Sequence, residues 1–78
     1  MAYSIIDENC DVYSREENTD FVIDIAMKPE IPRAGDIIKH VNIFDFFKEM
    51  VELKKAGYKI PDSVIERIAA DVRSICSE

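Results

Sequence analysis

Residues 42–76 contain two apolar stripes with helical period, joined by Gly57-Tyr58-Lys59-Ile60-Pro61, and whatever else this chain does it must cover them. In the first stripe Ile43, Phe46, Phe47, Met50 and Leu53 share one arc, with Val51 at its edge and Asp45, Lys48, Glu49, Glu52 and Lys55 opposite. Asn42 suits an N-cap, Asp45 favours the exposed amides of a first turn, and Lys54 and Lys55 suit the negative end of a helix dipole. Gly57 then ends the element in the left-handed conformation, which predicts a helix over 42–57. In the second stripe Ile65, Ile68, Val72 and Ile75 recur with Ala69 and Cys76 beside them, while Arg67, Ala70, Asp71, Arg73 and Ser74 lie outside it. Pro61 opens or precedes this helix, Ser63 and Glu66 have capping-box spacing, and the expected span is 61–77. A connection this short makes the two helices antiparallel neighbours or a corner.

The preceding residues read as strands that give the helix pair something to pack on. Tyr3-Ser4-Ile5-Ile6 is β-prone and is followed by the turn-forming Asp7-Glu8-Asn9-Cys10-Asp11. Val12-Tyr13-Ser14 resumes the β pattern, and Arg15-Glu16-Glu17-Asn18-Thr19-Asp20 reads as a polar turn. The best strand is Phe21–Met27, where Phe21, Ile23, Ile25 and Met27 alternate onto one face and Val22, Asp24 and Ala26 onto the other. Pro29 and Pro32 bracket an extended Glu30-Ile31, Arg33-Ala34-Gly35-Asp36 forms a tight turn, and Ile37–Val41 is a further short strand, or else an extended or helical connection. The expected fold is α+β: a small antiparallel sheet or meander of two to four strands from residues 3–41, followed by an antiparallel pair of amphipathic helices at 42–57 and 61–77. At 78 residues the chain has room for one domain, 1–78, whose core is small enough that self-association or a partner would help to stabilise it.

Charge is distributed in a way that folding alone does not require. The net charge is −6, and all of it falls in residues 1–31, which carry eight acids and two bases, whereas residues 32–78 carry eight of each. No run approaches a membrane span and Met1-Ala2-Tyr3-Ser4 has no basic region followed by an apolar one, so the expectation is a cytoplasmic protein. Cys10 and Cys76, far apart and in no ligand spacing, are expected as reduced thiols, Cys76 packed in the core stripe and Cys10 in an acidic loop that disfavours a thiolate.

Patterns that would carry chemistry fail on inspection. Asp7-x-Asn9-x-Asp11 matches the first ligands of a calcium loop, but Val12 stands where glycine is needed and Asn18 where a bidentate glutamate is needed. His40 has only Lys39 and Asp36 near it in sequence, which makes no catalytic constellation. Gly35 and Gly57 build no phosphate loop, and the basic concentration at Lys48, Lys54, Lys55 and Lys59 is offset by the overall negative charge. The expectation is therefore no enzyme, no cofactor, no metal and no direct nucleic-acid or membrane contact.

What remains is an acidic segment and aromatic residues off the main stripes. Asp7, Glu8, Asp11, Glu16, Glu17 and Asp20, with Phe44 and Tyr58 as apolar anchors, suit binding to a larger basic protein, where charge steers encounter and aromatic rings hold. The expected function is a non-enzymatic interaction module, an inhibitor or modulator docking on a basic, nucleic-acid-binding protein surface. Small virus-encoded inhibitors provide an analogy of size and charge only. The competing reading is a structural subunit or homodimer that uses the helix pair as its interface.

Overall fold

The computed structural model describes residues 2–76. Four strands form one antiparallel meander in the order β1-β2-β3-β4: β1 Ala2–Ser4, β2 Val12–Glu17, β3 Asp20–Ile25 and β4 Ile37–His40. Helices α1, Ile43–Lys55, and α2, Asp62–Cys76, follow and pack on one face of the sheet. The expected α+β architecture is the observed one.

The register explains which strand residues meet the helices. Val12 pairs with Ile25, Ser14 with Ile23 and Glu16 with Phe21, while Ile23 pairs with Ile38 and Phe21 with His40. Directly opposed residues share a face, so Val12, Ser14, Ile23 and Ile25 line the core beneath Phe46, Met50, Leu53, Val64 and Ile68. The other face carries Tyr13, Arg15, Glu17, Val22, Asp24, Ile37 and Lys39, and among the described residues no helix covers it. There Arg15 donates to Asp24 at 2.8 Å and to Glu17 at 3.0 Å, and lies 4.5 Å over the Tyr13 ring.

Several sequence expectations shift in position. The segment Arg15–Asp20 is not a long polar turn: β2 continues to Glu17, β3 begins at Asp20, and only Asn18 and Thr19 connect them. Asn18, at φ 58°, fills the left-handed first position of a two-residue hairpin loop, a conformation asparagine tolerates. β3 ends at Ile25 because the Ala26 amide donates to Asp11 O, outside the β3–β4 ladder, and Met27 is left 83% exposed instead of facing the core. Gly35 at φ 84° donates to Ile25 O while Ile25 donates to Asp36 O, a bulge that needs glycine at its first position, and Asp36 closes the Arg33–Asp36 turn by donating to Arg33 O.

The helix ends follow their chemistry. Asn42 caps α1, its Oδ1 accepting from the Phe44 amide at 2.7 Å. At the other end the Gly57 amide donates to Lys54 O and the Tyr58 amide to Leu53 O, with Gly57 at φ 108°. This is a Schellman ending, in which Tyr58 and Leu53 provide the apolar contact that accompanies it. α2 begins at Asp62, one residue before Ser63, so the Ser63–Glu66 spacing does not mark its cap. Its inner line is Val64–Ile68 flanked by Ile65 and Val72, and Ile75 and Cys76 are exposed, not core.

Candidate functional site

The meander and helix pair give the molecule two ends. At one lie the β1–β2 loop, the β3–β4 loop and the corner between the helices; at the other lie the β2–β3 hairpin turn, the β4–α1 junction and the last turn of α2. The acids and aromatics expected to form one binding surface divide between these ends.

Asp7, Glu8, Asp11 and Tyr58 fall at the loop end. Asp7 Oδ1 accepts from the Asn9 amide at 2.7 Å and Glu8 is exposed. Asp11 is not the exposed charge that the sequence suggested; it is 6% exposed. Its Oδ1 accepts from Lys28 Nζ at 2.8 Å and its Oδ2 from the Lys59 amide at 2.9 Å, while its own amide donates to Lys59 O at 2.8 Å. Burial alone would raise this carboxyl's pKa, but the hydrogen bonds from Lys28 and the Lys59 backbone, with the charges of both lysines, hold it below the ordinary value. A cleft of about 290 Å³ opens here between Ile31, Pro32, Gly57 and Tyr58, but the Asp11 oxygens on its wall are engaged by protein donors. Of the calcium-like motif, Asp7 Oδ1 and both Asp11 carboxylate oxygens thus accept hydrogen bonds from the chain itself.

Glu16, Glu17, Asp20 and Phe44 come together at the hairpin end. Glu17 and Asp20 face each other across the turn, and Glu16 pairs with Phe21 on the helix side. Phe21 pairs with His40, after which the chain passes through Val41 and Asn42 into α1, so Phe44 stands in the first helical turn beside the hairpin. Val41 is 82% exposed, Phe44 44% and Ile75 49%. Arg15 compensates Glu17 at 3.0 Å. Phe44 and Tyr58 belong to opposite ends of α1 and do not form a common apolar edge.

A second cleft, of about 250 Å³, lies at this end between the sheet, the first turn of α1 and the last turns of α2. Phe21, Ile43 and Ile75 provide apolar walls, and Glu16 and Asp71 bring carboxylates to it. Tyr3 donates from its hydroxyl to Asp71 Oδ2 at 2.6 Å, and its ring lies 5.6 Å from Phe46, which stacks on Phe21 at 5.1 Å. Burial, the hydrogen bond to Asp71 and the charges of Asp71 and Glu16 raise the Tyr3 pKa, with Arg67 opposing, so the phenol stays neutral. Sequence reading did not find Tyr3, Asp71, Val41 or Ile75 as site residues. A signal existed for Asp71, which stands three residues after Ile68 and four before Ile75, at the border of the apolar stripe.

His40 is half-buried with Nε2 3.3 Å from Glu49 Oε1 on α1, a partner its sequence neighbours did not suggest. Cys10 is buried, its thiol donating to Val12 O at 3.2 Å, and Cys76 is exposed. Among the described residues no group of three or more His, Cys, Asp or Glu is arranged to hold a metal ion, and no helix is long and apolar enough to cross a membrane. No protein-family model, curated protein or solved structure matches the chain.

Proposed function

We propose that this protein is a non-enzymatic interaction module that docks its hairpin end on a basic protein surface, of the kind that nucleic-acid-binding proteins present, and so acts there as an inhibitor or modulator in the cytoplasm. The observation that carries this reading is the joining of Glu16, Glu17 and Asp20 with the exposed Val41 and Phe44 at one end of the molecule. Acids around apolar anchors suit a partner whose lysines and arginines are drawn in by charge and whose contact is then held by desolvated rings. Asp7 and Glu8 stand at the other end and contribute only to the long-range field.

The test separates position from net charge. Glu17→Gln with Asp20→Asn, and Asp7→Asn with Glu8→Gln, each remove two acids, one pair at each end. Against a lysine- and arginine-rich peptide, the hairpin pair is expected to weaken binding several-fold and flatten its salt dependence, since exposed charges act mainly on encounter. The loop pair should leave binding near that of the parent. Equal effects from the two pairs would reduce the reading to nonspecific attraction by net charge.

A second reading, self-association, has one observation in its favour, and it lies on the sheet instead of the helix pair. The bond from Ile25 N–H to Asp36 O turns the backbone groups of Ile38 and His40 toward β3, so those of Ile37 and Lys39 face the open edge of β4, with the Ile37 side chain 63% exposed. At the opposite edge Arg67 donates to the carbonyls of Ala2 and Tyr3. Sedimentation of the parent across concentration distinguishes a monomeric docking module from an assembly built on β4.

A further inference from the structure

We propose that the open edge of β4 takes an extended segment of the basic partner as an added antiparallel strand, with lysine or arginine at every second position. This rests on the docking reading above and gives the partner's segment a conformation and a residue pattern.

The edge itself comes first. β4 ends the sheet, and the backbone groups of Ile37 and Lys39 face away from β3. Such an edge is a template for strand addition, and proteins usually blunt it with proline, charge or a covering element. β4 has no proline, Lys39 is its one permanently charged side chain, and Ile37 and the adjoining Val41 are exposed. The opposite edge differs. β1 is short, its pairing with β2 is irregular, and Arg67 donates to the carbonyls of Ala2 and Tyr3. β4 is therefore the edge at which the ladder can be extended.

The two sides of an added strand meet different surroundings. Directly opposed residues share a face, so alternate side chains lie on the helix side, opposite Ile38 and His40, and on the open face, opposite Ile37 and Lys39. On the helix side the strand runs beside an acidic flank of α1. Glu49 reaches His40 at 3.3 Å, which places this flank at β4, and Asp45 and Glu52 lie one turn to either side of Glu49. Asp45 and Glu52 are exposed and have no ion-pair partner among the described residues. A cleft of about 360 Å³ opens on this flank between Glu49, Glu52 and the Pro32-Arg33 segment, and the base lining it, Arg33, is paired with Asp36 at 3.1 Å.

Charge then fixes the pattern. Cationic side chains on the helix side meet Asp45 and Glu52. On the open face a base set against Lys39 would be a like-charge pair across the ladder, so those positions call for apolar side chains, which Ile37 also favours. The same flank disfavours a second copy as occupant. Two-fold pairing of β4 with itself keeps both α1 helices on one face of the sheet and brings their acids together.

The experiment uses the full chain and a short peptide of alternating lysine and valine, either unmodified, N-methylated at the valines, or N-methylated at the lysines. In an antiparallel ladder the residues opposite Ile37 and Lys39 exchange both backbone bonds with them, so the valine amides are the ones that bond to β4. Methylation there should weaken binding by about tenfold, the effect of losing one or two backbone hydrogen bonds, and methylation of the lysines should leave it near that of the unmodified peptide. Binding should also protect the Ile37 and Lys39 amides from hydrogen exchange, and Asp45→Asn with Glu52→Gln should weaken it several-fold. Lys39→Pro removes an outward donor without touching the ladder to β3 and should abolish binding while melting near the parent temperature. If Lys39→Pro unfolds, the methylated peptides decide alone. If the parent binds no basic peptide, docking and strand addition both fall. If it binds, and Glu17→Gln with Asp20→Asn weakens that binding, but the two methylated peptides behave alike and the edge amides stay unprotected, docking stands and strand addition is refuted. A parent dimer that Lys39→Pro dissolves and the peptide does not displace would assign the edge to a second copy and refute it equally.

Discussion

An acid that looks dispensable in the sequence, Asp11, holds three segments together. Its carboxylate joins Lys28 after β3 to Lys59 at the helix corner, and its backbone accepts from Ala26 and donates to Lys59. Asn in its place keeps the shape and an acceptor for the Lys59 amide but removes the charge facing Lys28. Asp11→Asn should cost about 1–3 kcal/mol at neutral pH, the range for a buried charged hydrogen bond. Because the folded pKa lies below the ordinary 3.8, this contribution is complete above the unfolded value and disappears as pH falls through the depressed folded one. The stability gap between parent and variant should therefore close on acidification below about pH 4. Denaturant unfolding at several pH values measures it, and equal stability at neutral pH would remove Asp11 from this role. Composition counts Asp11 with Glu16 and Glu17 because a sequence shows charge and local propensity but not which carboxylate will meet Lys59, 48 residues away.

Among the elements, the helices and their inward faces were legible, and how far along α2 the burial extends was not. Asn42, Gly57 and the apolar period fix α1 locally, since caps and stripes are written within a few residues. The stripe of α2 gives Ile68 and Ile75 equal standing, but burial depends on which turns of the helix the rest of the fold covers, a tertiary quantity. Ile68 is fully buried, so Ile68→Ala should cost about 2–5 kcal/mol. Ile75→Ala should stay within about 0.5 kcal/mol, as for a surface substitution. Thermal unfolding of the two variants checks where burial ends along α2, and comparable losses would restore Ile75 to the core. The hairpin was misread for a related reason. Arg15, Glu16 and Glu17 show no hydrophobic alternation because one face of the sheet is open there and the other is at the rim of the core, so the strand is specified by its pairing with β3.

Across the whole molecule the net charge of −6 serves two ends with different demands. At the loop end the fold uses its buried acid, Asp11, against Lys28. At the hairpin end it uses Asp71 for Tyr3, while Glu17, more than half exposed, gains only a surface pair with Arg15 and faces Asp20 across the strand ladder. Like charges directly opposed on a sheet destabilise it, and exposed ion pairs contribute little. The concentration of acids near the hairpin was visible in the sequence; its apolar companions, Val41 and Ile75, were assigned there to a strand and a core stripe. If the hairpin acids serve a partner and not the fold, removing them should relieve repulsion. Glu17→Gln with Asp20→Asn is expected to melt at or slightly above the parent temperature at low salt, with the difference vanishing near 1 M, where screening extends only about 3 Å. Asp11→Asn should show the opposite sign and persist in salt, because its ion pair is sheltered from solvent. Thermal unfolding of both variants over a salt series makes the comparison. A loss of stability in the hairpin variant at every salt concentration would assign Glu17 and Asp20 to the fold and remove the surplus of charge on which the docking proposal depends.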